Sequence, residues 1–188
     1  MPGHSETNAP QLNRRKLLGG MVGVAAVTAL PPLHEAMATL GNHRSVSLYD
    51  PSRMTSLDVT YFQDGWYSPD ALAQINFFMR DRRNDQIMQM DPQLVDLMCA
   101  VQTQLGAQLP IHLVSGYRSP ATNAYLAARS GRVAQNSYHM YGRAADIRIP
   151  GISLAGLRQT ALALQGGGVG YYPSSDFVHI DNGPVRNW

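Results

Sequence analysis

The stretch Ser137-Tyr138-His139-Met140-Tyr141-Gly142-Arg143-Ala144-Ala145-Asp146 constrains this chain more than any other. It contains one histidine and one aspartate, and a second histidine, His179, follows later in the chain. Two imidazole nitrogens and one carboxylate oxygen, with a fourth position left for water, are the usual arrangement of a catalytic zinc site. Gly142 allows the backbone to turn tightly, so that His139 and Asp146 can face one ion. The sequence therefore predicts a Zn²⁺ site formed by His139, Asp146 and His179.

Length and composition exclude several classes of protein. At 188 residues the chain suits one domain and an export segment. A hydrophobic fraction of 44% and a charged fraction of 15% are typical of a globular chain. The formal net charge of +2 provides no strongly basic face, so we expect no nucleic-acid binding. We also expect the protein to be a monomer. Cys99 is the only cysteine, so no intramolecular disulfide can form.

Residues 1–38 have the features of an export signal peptide. Arg14 and Arg15 precede a modestly apolar run from Leu17 to Leu30, and Ala36-Met37-Ala38 supplies small residues for cleavage. Paired arginines are typical of the twin-arginine pathway, which exports folded proteins, so we expect a periplasmic protein. The apolar run is shorter than the roughly 20 residues that a spanning helix needs, so we expect no membrane span once the signal is removed. An uncleaved anchor is the alternative.

The rest of the chain predicts a loose segment, residues 39–55, followed by one domain, residues 56–188. Three pairs in which a capping residue precedes proline predict helix starts: Ser68-Pro69, Asp91-Pro92 and Ser119-Pro120. Residues 57–62, 111–115, 144–150 and 177–181 are predicted strands. Short strands mixed with helices, with hairpin-like connections near the end, predict an α+β fold with a central antiparallel sheet flanked by helices.

Arg118 lies in the turn that follows the strand predicted over residues 111–115. Such a turn presents a side chain at the end of a strand, where binding residues often lie. Arg118 could stabilise the charge that develops on a carbonyl oxygen, or hold a substrate carboxylate in a bidentate contact. From spacing alone, a surface salt bridge is an equally good explanation.

Together these motifs resemble the zinc D-alanyl-D-alanine peptidases. The resemblance lies in Ser137-x-His139-x-x-Gly142-x-Ala144-x-Asp146, then Asp176-x-x-His179, with Ser115-Gly116-Tyr117-Arg118-Ser119 upstream. Within that family, Gly167-Gly168-Val169-Gly170-Tyr171-Tyr172 and the end of the chain from Phe177 to Trp188 are most similar to the murein endopeptidase K-like branch. The resemblance covers residues 110–188, roughly.

The resemblance implies a Hedgehog/D-Ala-D-Ala-peptidase-like fold with one zinc ion held by His139, Asp146 and His179. It also implies hydrolysis of peptide bonds in peptidoglycan stem peptides or cross-links, most simply as an endopeptidase, with Arg118 binding a substrate carbonyl or carboxylate. The nucleophile would be zinc-bound water, whose pKa the metal lowers to about 7. The sequence leaves open whether 3–3 or 4–3 cross-links and L,D or D,D bonds are cut. A zinc-containing module that binds or regulates cell-wall peptides without turnover is the alternative.

Two carboxylates compete for the role of general base. The resemblance favours Asp176, because an acidic residue three positions before the second histidine is the base in many of these peptidases. Alternation along the predicted strand favours Asp181, because it shares a face with His179 whereas Asp176 does not. A turn at Pro173-Ser174-Ser175 that extended through Asp176 would re-aim its side chain, and Asp181 would then orient a zinc ligand. We predict Asp176 as the base and keep Asp181 as the second candidate.

Overall fold

The computed structural model describes Met1, Gly3, residues 30–131 and residues 133–188. Arg14, Arg15 and the predicted apolar run before Leu30 therefore lie outside the described residues. Within the described part of the chain, no helix is long and apolar enough to cross a membrane.

Eight strands of the described chain form one sheet. They are β1 (His43–Asp50), β2 (Thr55–Gln63), β3 (Trp66–Tyr67), β4 (Ile111–Ser115), β5 (Ala144–Arg148), β6 (Gly168–Tyr172), β7 (Phe177–Asp181) and β8 (Arg186–Asn187). Their order across the sheet is β3-β2-β1-β4-β5-β7-β6-β8. The α+β class is therefore confirmed.

The sheet is mixed, so the prediction of an antiparallel sheet is wrong in two places. β1 pairs with β4 in parallel, and β6 pairs with β8 in parallel, whereas the other pairs are antiparallel. β1 and β4 are separated by two strands and two helices, a crossover long enough to return the chain to the same end of the sheet. β8 runs parallel to β6 because β7, which connects them, runs opposite to β6.

Five helices are described: α1 (Leu33–Leu40), α2 (Pro69–Phe78), α3 (Pro92–Gln104), α4 (Pro120–Ala127) and α5 (Leu154–Leu164). The three predicted helix starts are confirmed, because the side chains of Ser68, Asp91 and Ser119 each accept a hydrogen bond from a backbone N–H in the first turn. α3 is the central helix, packed against α1, α5 and β1. Its buried residues include Leu94, Leu97 and Cys99.

The predicted loose segment, residues 39–55, instead contains the last two residues of α1 and all of β1. Val46, Leu48 and Asp50 of β1 are buried in alternation, and β1 pairs with β2 along its whole length. Ser47 and Tyr49 lie between them, and one of the buried residues is an aspartate, so the sequence did not show a clear alternation of apolar and polar residues. The expected cleavage site after Ala38 lies inside α1, where Ala36 is buried.

Candidate metal centre and active site

The sheet places two of the predicted metal ligands side by side. Asp146 of β5 and His179 of β7 are register partners, so their side chains project from the same face of the sheet. Ser115 of β4 pairs with Asp146 on its other side. His139 comes from a 3₁₀ turn, Tyr138–Tyr141, immediately before β5. Gly142 ends that turn in the left-handed region with φ 65°, which explains why the chain needs glycine there.

Hydrogen bonds fix which nitrogen of each histidine faces the other ligands. Nδ1 of His139 lies 2.6 Å from the carbonyl oxygen of Gly116, so it must carry the proton and donate it. Nε2 of His179 lies 3.0 Å from Oδ2 of Asp181 and donates to that carboxylate. The unprotonated nitrogens, Nε2 of His139 and Nδ1 of His179, are therefore turned towards Asp146.

These two nitrogens and Oδ1 of Asp146 form a nearly equilateral triangle. Nε2 of His139 lies 3.1 Å from Oδ1 and 3.2 Å from Nδ1 of His179, and Nδ1 lies 2.9 Å from Oδ1. Two ligands on a tetrahedral zinc ion, with bonds of about 2.0–2.1 Å, lie roughly 3.3 Å apart. The triangle is therefore close to one face of a zinc tetrahedron.

The chemistry of the three atoms also fits a cation. With the tautomers above, all three are hydrogen-bond acceptors, and they meet in a buried place: His139 is 1% exposed and Asp146 is 2% exposed. Three lone pairs facing one another without a donor repel, unless a cation or an added proton lies between them. The predicted residues are thus brought together as a group that could hold a metal ion.

The protonation states of the three side chains suit metal binding. Burial raises the pKa of Asp146, but its close contacts with His139 and His179 and the charge of Arg118 outweigh burial and hold that pKa well below its usual range. Burial lowers the pKa of His139. Burial also lowers the pKa of His179, but the neighbouring carboxylates of Asp146 and Asp181 stabilise the protonated imidazole, reverse the shift and raise the pKa. A metal ion therefore competes with a proton chiefly at His179.

Arg118 lies against the metal ligands rather than on the open surface. Its Nη2 donates to Oδ2 of Asp146, and its Nε donates to Oγ of Ser115 at 2.9 Å. The surface salt bridge considered from the sequence is thus an ion pair with the buried carboxylate of Asp146, a predicted metal ligand. No hydrogen-bond partner for Nη1 occurs within the described residues, and Arg118 lines the cavity over the metal group.

A buried aspartate that the sequence did not single out fixes the loop that carries Arg118. Asp81 is 0% exposed, and its two oxygens accept backbone N–H bonds from Ser119 at 2.7 Å and from Arg83 at 2.8 Å. The backbone N–H of Tyr117 donates to the carbonyl of Met79, two residues before Asp81. Asp81 lies in a loop with no apolar period or motif, so no local signal marked it.

The two candidate bases occupy different environments. Asp181 is buried, accepts a hydrogen bond from His179 and forms an ion pair with Arg186 at 2.8 Å. Asp176 has φ 54°, so the turn does extend through it, but its exposed carboxylate binds Arg148 at 2.8 Å. Ser175 and Phe177 line the cavity over the metal group, whereas Asp176 does not. The structure thus brings Asp181, and not Asp176, to the predicted metal ligands.

A cavity of about 480 Å³ opens over the metal group. Its lining includes the three predicted ligands, Arg118, and an aromatic set formed by Tyr138, Tyr172, Phe177 and Trp188. Trp188 lies with its ring centre 5.3 Å from that of His179, and its Nε1 donates to the hydroxyl of Tyr172 at 2.7 Å. Gly170 allows this arrangement, because a Cβ there would lie 2.7 Å from the Trp188 ring. From the sequence, Trp188 could be recognised only through the resemblance of the stretch from Phe177 to Trp188 to the family.

A buried group of two histidines and one aspartate, beneath an open cavity and beside a fixed arginine, defines a metallohydrolase type of site on an α+β fold. The family model described as peptidoglycan L,D-endopeptidase MepK matches residues 38–188, and the chain belongs to this family of peptidases.

Two relatives show how far the similarity extends. Peptidoglycan L,D-endopeptidase MepK of Escherichia coli is 44% identical over 180 residues, which are 94% of this chain and 97% of that protein. A probable peptidoglycan L,D-endopeptidase MepK of Haemophilus influenzae is 38% identical over 178 residues, which are 94% of this chain and 95% of that protein. The similarity therefore includes the region before residue 110, where the sequence offered no motif.

Proposed function

We propose that this chain is a zinc-dependent murein endopeptidase that hydrolyses L,D peptide bonds in peptidoglycan stem peptides or cross-links. The observation that carries the proposal is the buried triangle of three acceptor atoms from His139, Asp146 and His179 beneath an open cavity. The names of the relatives support murein as the substrate and an L,D bond as the bond that is cut.

Zinc is the metal we propose, because two imidazoles and one carboxylate with an open fourth position are typical of catalytic zinc sites. When bound, zinc would lower the pKa of a water molecule to about 7 and polarise a carbonyl group. The chain's own contribution is to hold the ligands ready. Gly116 and Asp181 fix the two imidazole tautomers by accepting hydrogen bonds from the nitrogens that face away from Asp146.

Arg118 is proposed to bind the oxygen of the scissile carbonyl. Its guanidinium is held on two sides, by Asp146 and by Ser115, so its remaining donors are pre-oriented towards the cavity. A donor that does not move during reaction stabilises the developing negative charge without reorganisation. Asp146 thus would serve two purposes, as a ligand and as the anchor of Arg118.

Asp181 is proposed as a positioning residue rather than as the base. Both of its oxygens are occupied: Oδ2 by His179 and Arg186, and Oδ1 by Arg186 and the backbone N–H groups of Gly168 and Gly183. For Asp176 to act as the base, its carboxylate must leave Arg148 and the turn must re-aim it into the cavity. The family resemblance predicts Asp176 as the base, but the ion pair of its exposed carboxylate with Arg148 and its place outside the cavity lining argue against that role.

The test uses purified protein and cross-linked murein fragments, with and without a zinc chelator. We expect fragments cut between an L and a D centre, identified by mass analysis, and no cutting after chelation. His139→Ala should remove both metal and cutting, whereas His112→Ala, which replaces a histidine that does not line the cavity over the metal group, should keep both. Fragments left intact in every condition would favour the alternative, a zinc-containing module that binds cell-wall peptides.

The cellular location is proposed from the sequence. Residues 1–38 carry Arg14 and Arg15 before an apolar run, which is typical of a twin-arginine signal, so we propose that the folded protein acts in the periplasm as a monomer. Murein lies in that compartment, so the location agrees with the proposed substrate.

A further inference from the structure

A second cavity lies beside the metal centre, and the proposed function does not use it. It has a volume of about 470 Å³. Arg118, Asp146 and Phe177 line both this cavity and the cavity over the metal group, so the two meet at the wall that holds a metal ligand. A peptide bound across the metal centre could therefore extend into both.

The charged groups that the second cavity offers to an anion are cationic. Arg82, Arg83 and Arg118 contribute three guanidinium groups. The two carboxylates of its lining, Asp81 and Asp146, are 0% and 2% exposed and already accept hydrogen bonds from the protein. They lie beneath the surface of the cavity, so an anion that entered it would meet the arginines first.

Arg82 is a fixed part of this lining. Its Nη2 donates to Oδ1 of Asp50 at 2.8 Å and to the carbonyl oxygen of Leu113. Asp50 is 0% exposed and also binds Arg53, so the ion pair is part of a buried network. Nε of Arg82 is buried and has no hydrogen-bond partner within the described residues.

Arg83 is held in place without an ion pair to any carboxylate of the described residues. Its guanidinium lies 4.5 Å from the ring centre of Tyr125, on α4. The guanidinium of Arg129 lies 3.6 Å from the same ring centre, yet Arg129 does not line the cavity. The contact with the Tyr125 ring limits where the guanidinium of Arg83 can lie, and its N–H donors stay available for an acceptor.

We infer that the second cavity is a subsite that binds a free carboxylate of the substrate, through Arg83 at its rim and Arg82 beside it. A guanidinium that is orientated in advance is the side chain best suited to a carboxylate, since two parallel N–H donors match its two oxygens. Murein stem peptides carry free carboxylates along the chain. This inference rests on the proposed function, because that function makes a stem peptide the ligand.

The test measures binding rather than turnover. Calorimetry measures the affinity of the metal-loaded protein for two ligands. One is an uncross-linked stem peptide, and the other is the same peptide with its carboxylates amidated. Arg83→Gln should weaken binding of the native peptide about tenfold, in line with the loss of one charge-assisted hydrogen-bonded contact at a partly exposed site, and should leave the amidated peptide unaffected. Arg129→Gln removes the same charge from the same aromatic ring outside the cavity and should change neither affinity.

Each outcome separates the subsite from the proposed function. The subsite would be overturned if the Arg83→Gln and Arg129→Gln variants bound the native peptide with equal affinity. It would also be overturned if Arg83→Gln weakened binding of both peptides equally, or if the wild type did not bind the native peptide. A parallel assay with cross-linked murein tests the enzyme itself. If cross-linked murein is not hydrolysed but the binding pattern is as expected, the endopeptidase is refuted and the subsite is kept. If murein is hydrolysed but Arg83→Gln has no effect on binding, the subsite is refuted and the endopeptidase is kept.

Discussion

Nε2 of His179 donates a hydrogen bond to Oδ2 of Asp181 at 3.0 Å, two residues further along the same strand. Alternate residues of a strand share a face, so this contact follows directly from the period of β7. It turns Nδ1 of His179 towards Asp146, at 2.9 Å from Oδ1. Asp181 therefore decides which nitrogen of His179 is available to a metal ion.

The first prediction compares Asp181→Asn with Asp176→Asn. Asn at position 181 weakens the acceptor for His179 and loses the charge that pairs with Arg186, so we expect metal affinity or turnover to fall about 10–100-fold. Asp176→Asn removes only an exposed ion pair with Arg148 and should keep nearly normal turnover. Turnover and zinc content are measured in both variants. Loss of turnover with full zinc occupancy in Asp176→Asn alone would restore Asp176 as the general base.

The second prediction concerns the shape of the guanidinium of Arg118. Arg118→Lys keeps a positive charge but cannot bind Asp146, Ser115 and a substrate oxygen together. We expect kcat to fall about 100-fold, the cost of losing one donor to a developing oxyanion, while zinc content stays unchanged. Arg148→Lys is the matched control, because Arg148 is exposed and does not line the cavity. Equal kcat values for the two variants would exclude Arg118 from the reaction.

The sequence predicted the group of residues that could hold a metal ion better than it predicted the sheet. His139, Asp146 and His179 belong to short motifs whose spacing is local, and the register of β5 with β7 only had to bring two of them together. The parallel pairing of β1 with β4 depends on a crossover through α2 and α3, which no local pattern encodes. β1 itself was missed because serine and tyrosine alternate with its buried residues, one of which is an aspartate.

Whether a charged side chain is buried or exposed also could not be predicted from the sequence. Asp81 and Asp176 are both loop aspartates, yet Asp81 is 0% exposed beneath the Arg118 loop and Asp176 is on the surface beside Arg148. Which of them is buried depends on contacts between segments far apart in the chain: Ser119 for Asp81, and β5 for Asp176. Such contacts appear only once the sheet has formed.

The third prediction concerns Asp81 and acid stability. Burial raises the pKa of Asp81, but hydrogen bonds from the Arg83 and Ser119 N–H groups and the Thr122 hydroxyl outweigh burial, so its pKa lies below the usual 3.8. A lowered pKa in the folded state stabilises the fold above pH 3.8, and this contribution is lost as the pH falls through the folded-state pKa. The stabilisation by Asp81 is therefore complete near pH 7 and decreases below about pH 4.

The variant Asp81→Asn tests this directly. An amide cannot accept from both backbone N–H groups, so one buried donor loses its partner, at a cost of about 2 kcal/mol at pH 7. The difference in unfolding free energy from the wild type should shrink as the pH falls below 3.8. Denaturant unfolding at several pH values measures it, with Asp58→Asn on the exposed surface of β2 as the control. A difference that stays constant with pH would contradict the assigned role.

The fourth prediction tests export. Replacing both Arg14 and Arg15 with lysine should leave the precursor in the cytoplasm, because the twin-arginine pathway requires the arginine pair rather than two positive charges. Fractionation of cells that express each form, followed by detection of the protein, measures this. Normal processing of the double variant would instead indicate the general secretory route.

The fifth prediction concerns Trp188, whose ring covers one side of the cavity beside His179. The backbone of Trp188 pairs with β6 through the N–H of Tyr171 and the carbonyl of Val169, so the side chain can be removed without breaking that pairing. The indole is about half exposed, at 48%, and offers an apolar face to a bound peptide. Contacts of this kind act equally on bound substrate and on the transition state, so they change KM more than kcat.

Trp188→Ala should therefore raise KM about fivefold to tenfold, the value of roughly 1 kcal/mol of aromatic contact, and leave kcat and zinc content nearly unchanged. Trp188→Phe should fall between the wild type and the alanine variant, because it keeps a ring but loses the hydrogen bond to the hydroxyl of Tyr172. Val185→Ala, an exposed position near the same end of the chain that does not line the cavity, is the control. A fall in kcat or zinc content with unchanged KM would instead show that Trp188 acts by supporting His179.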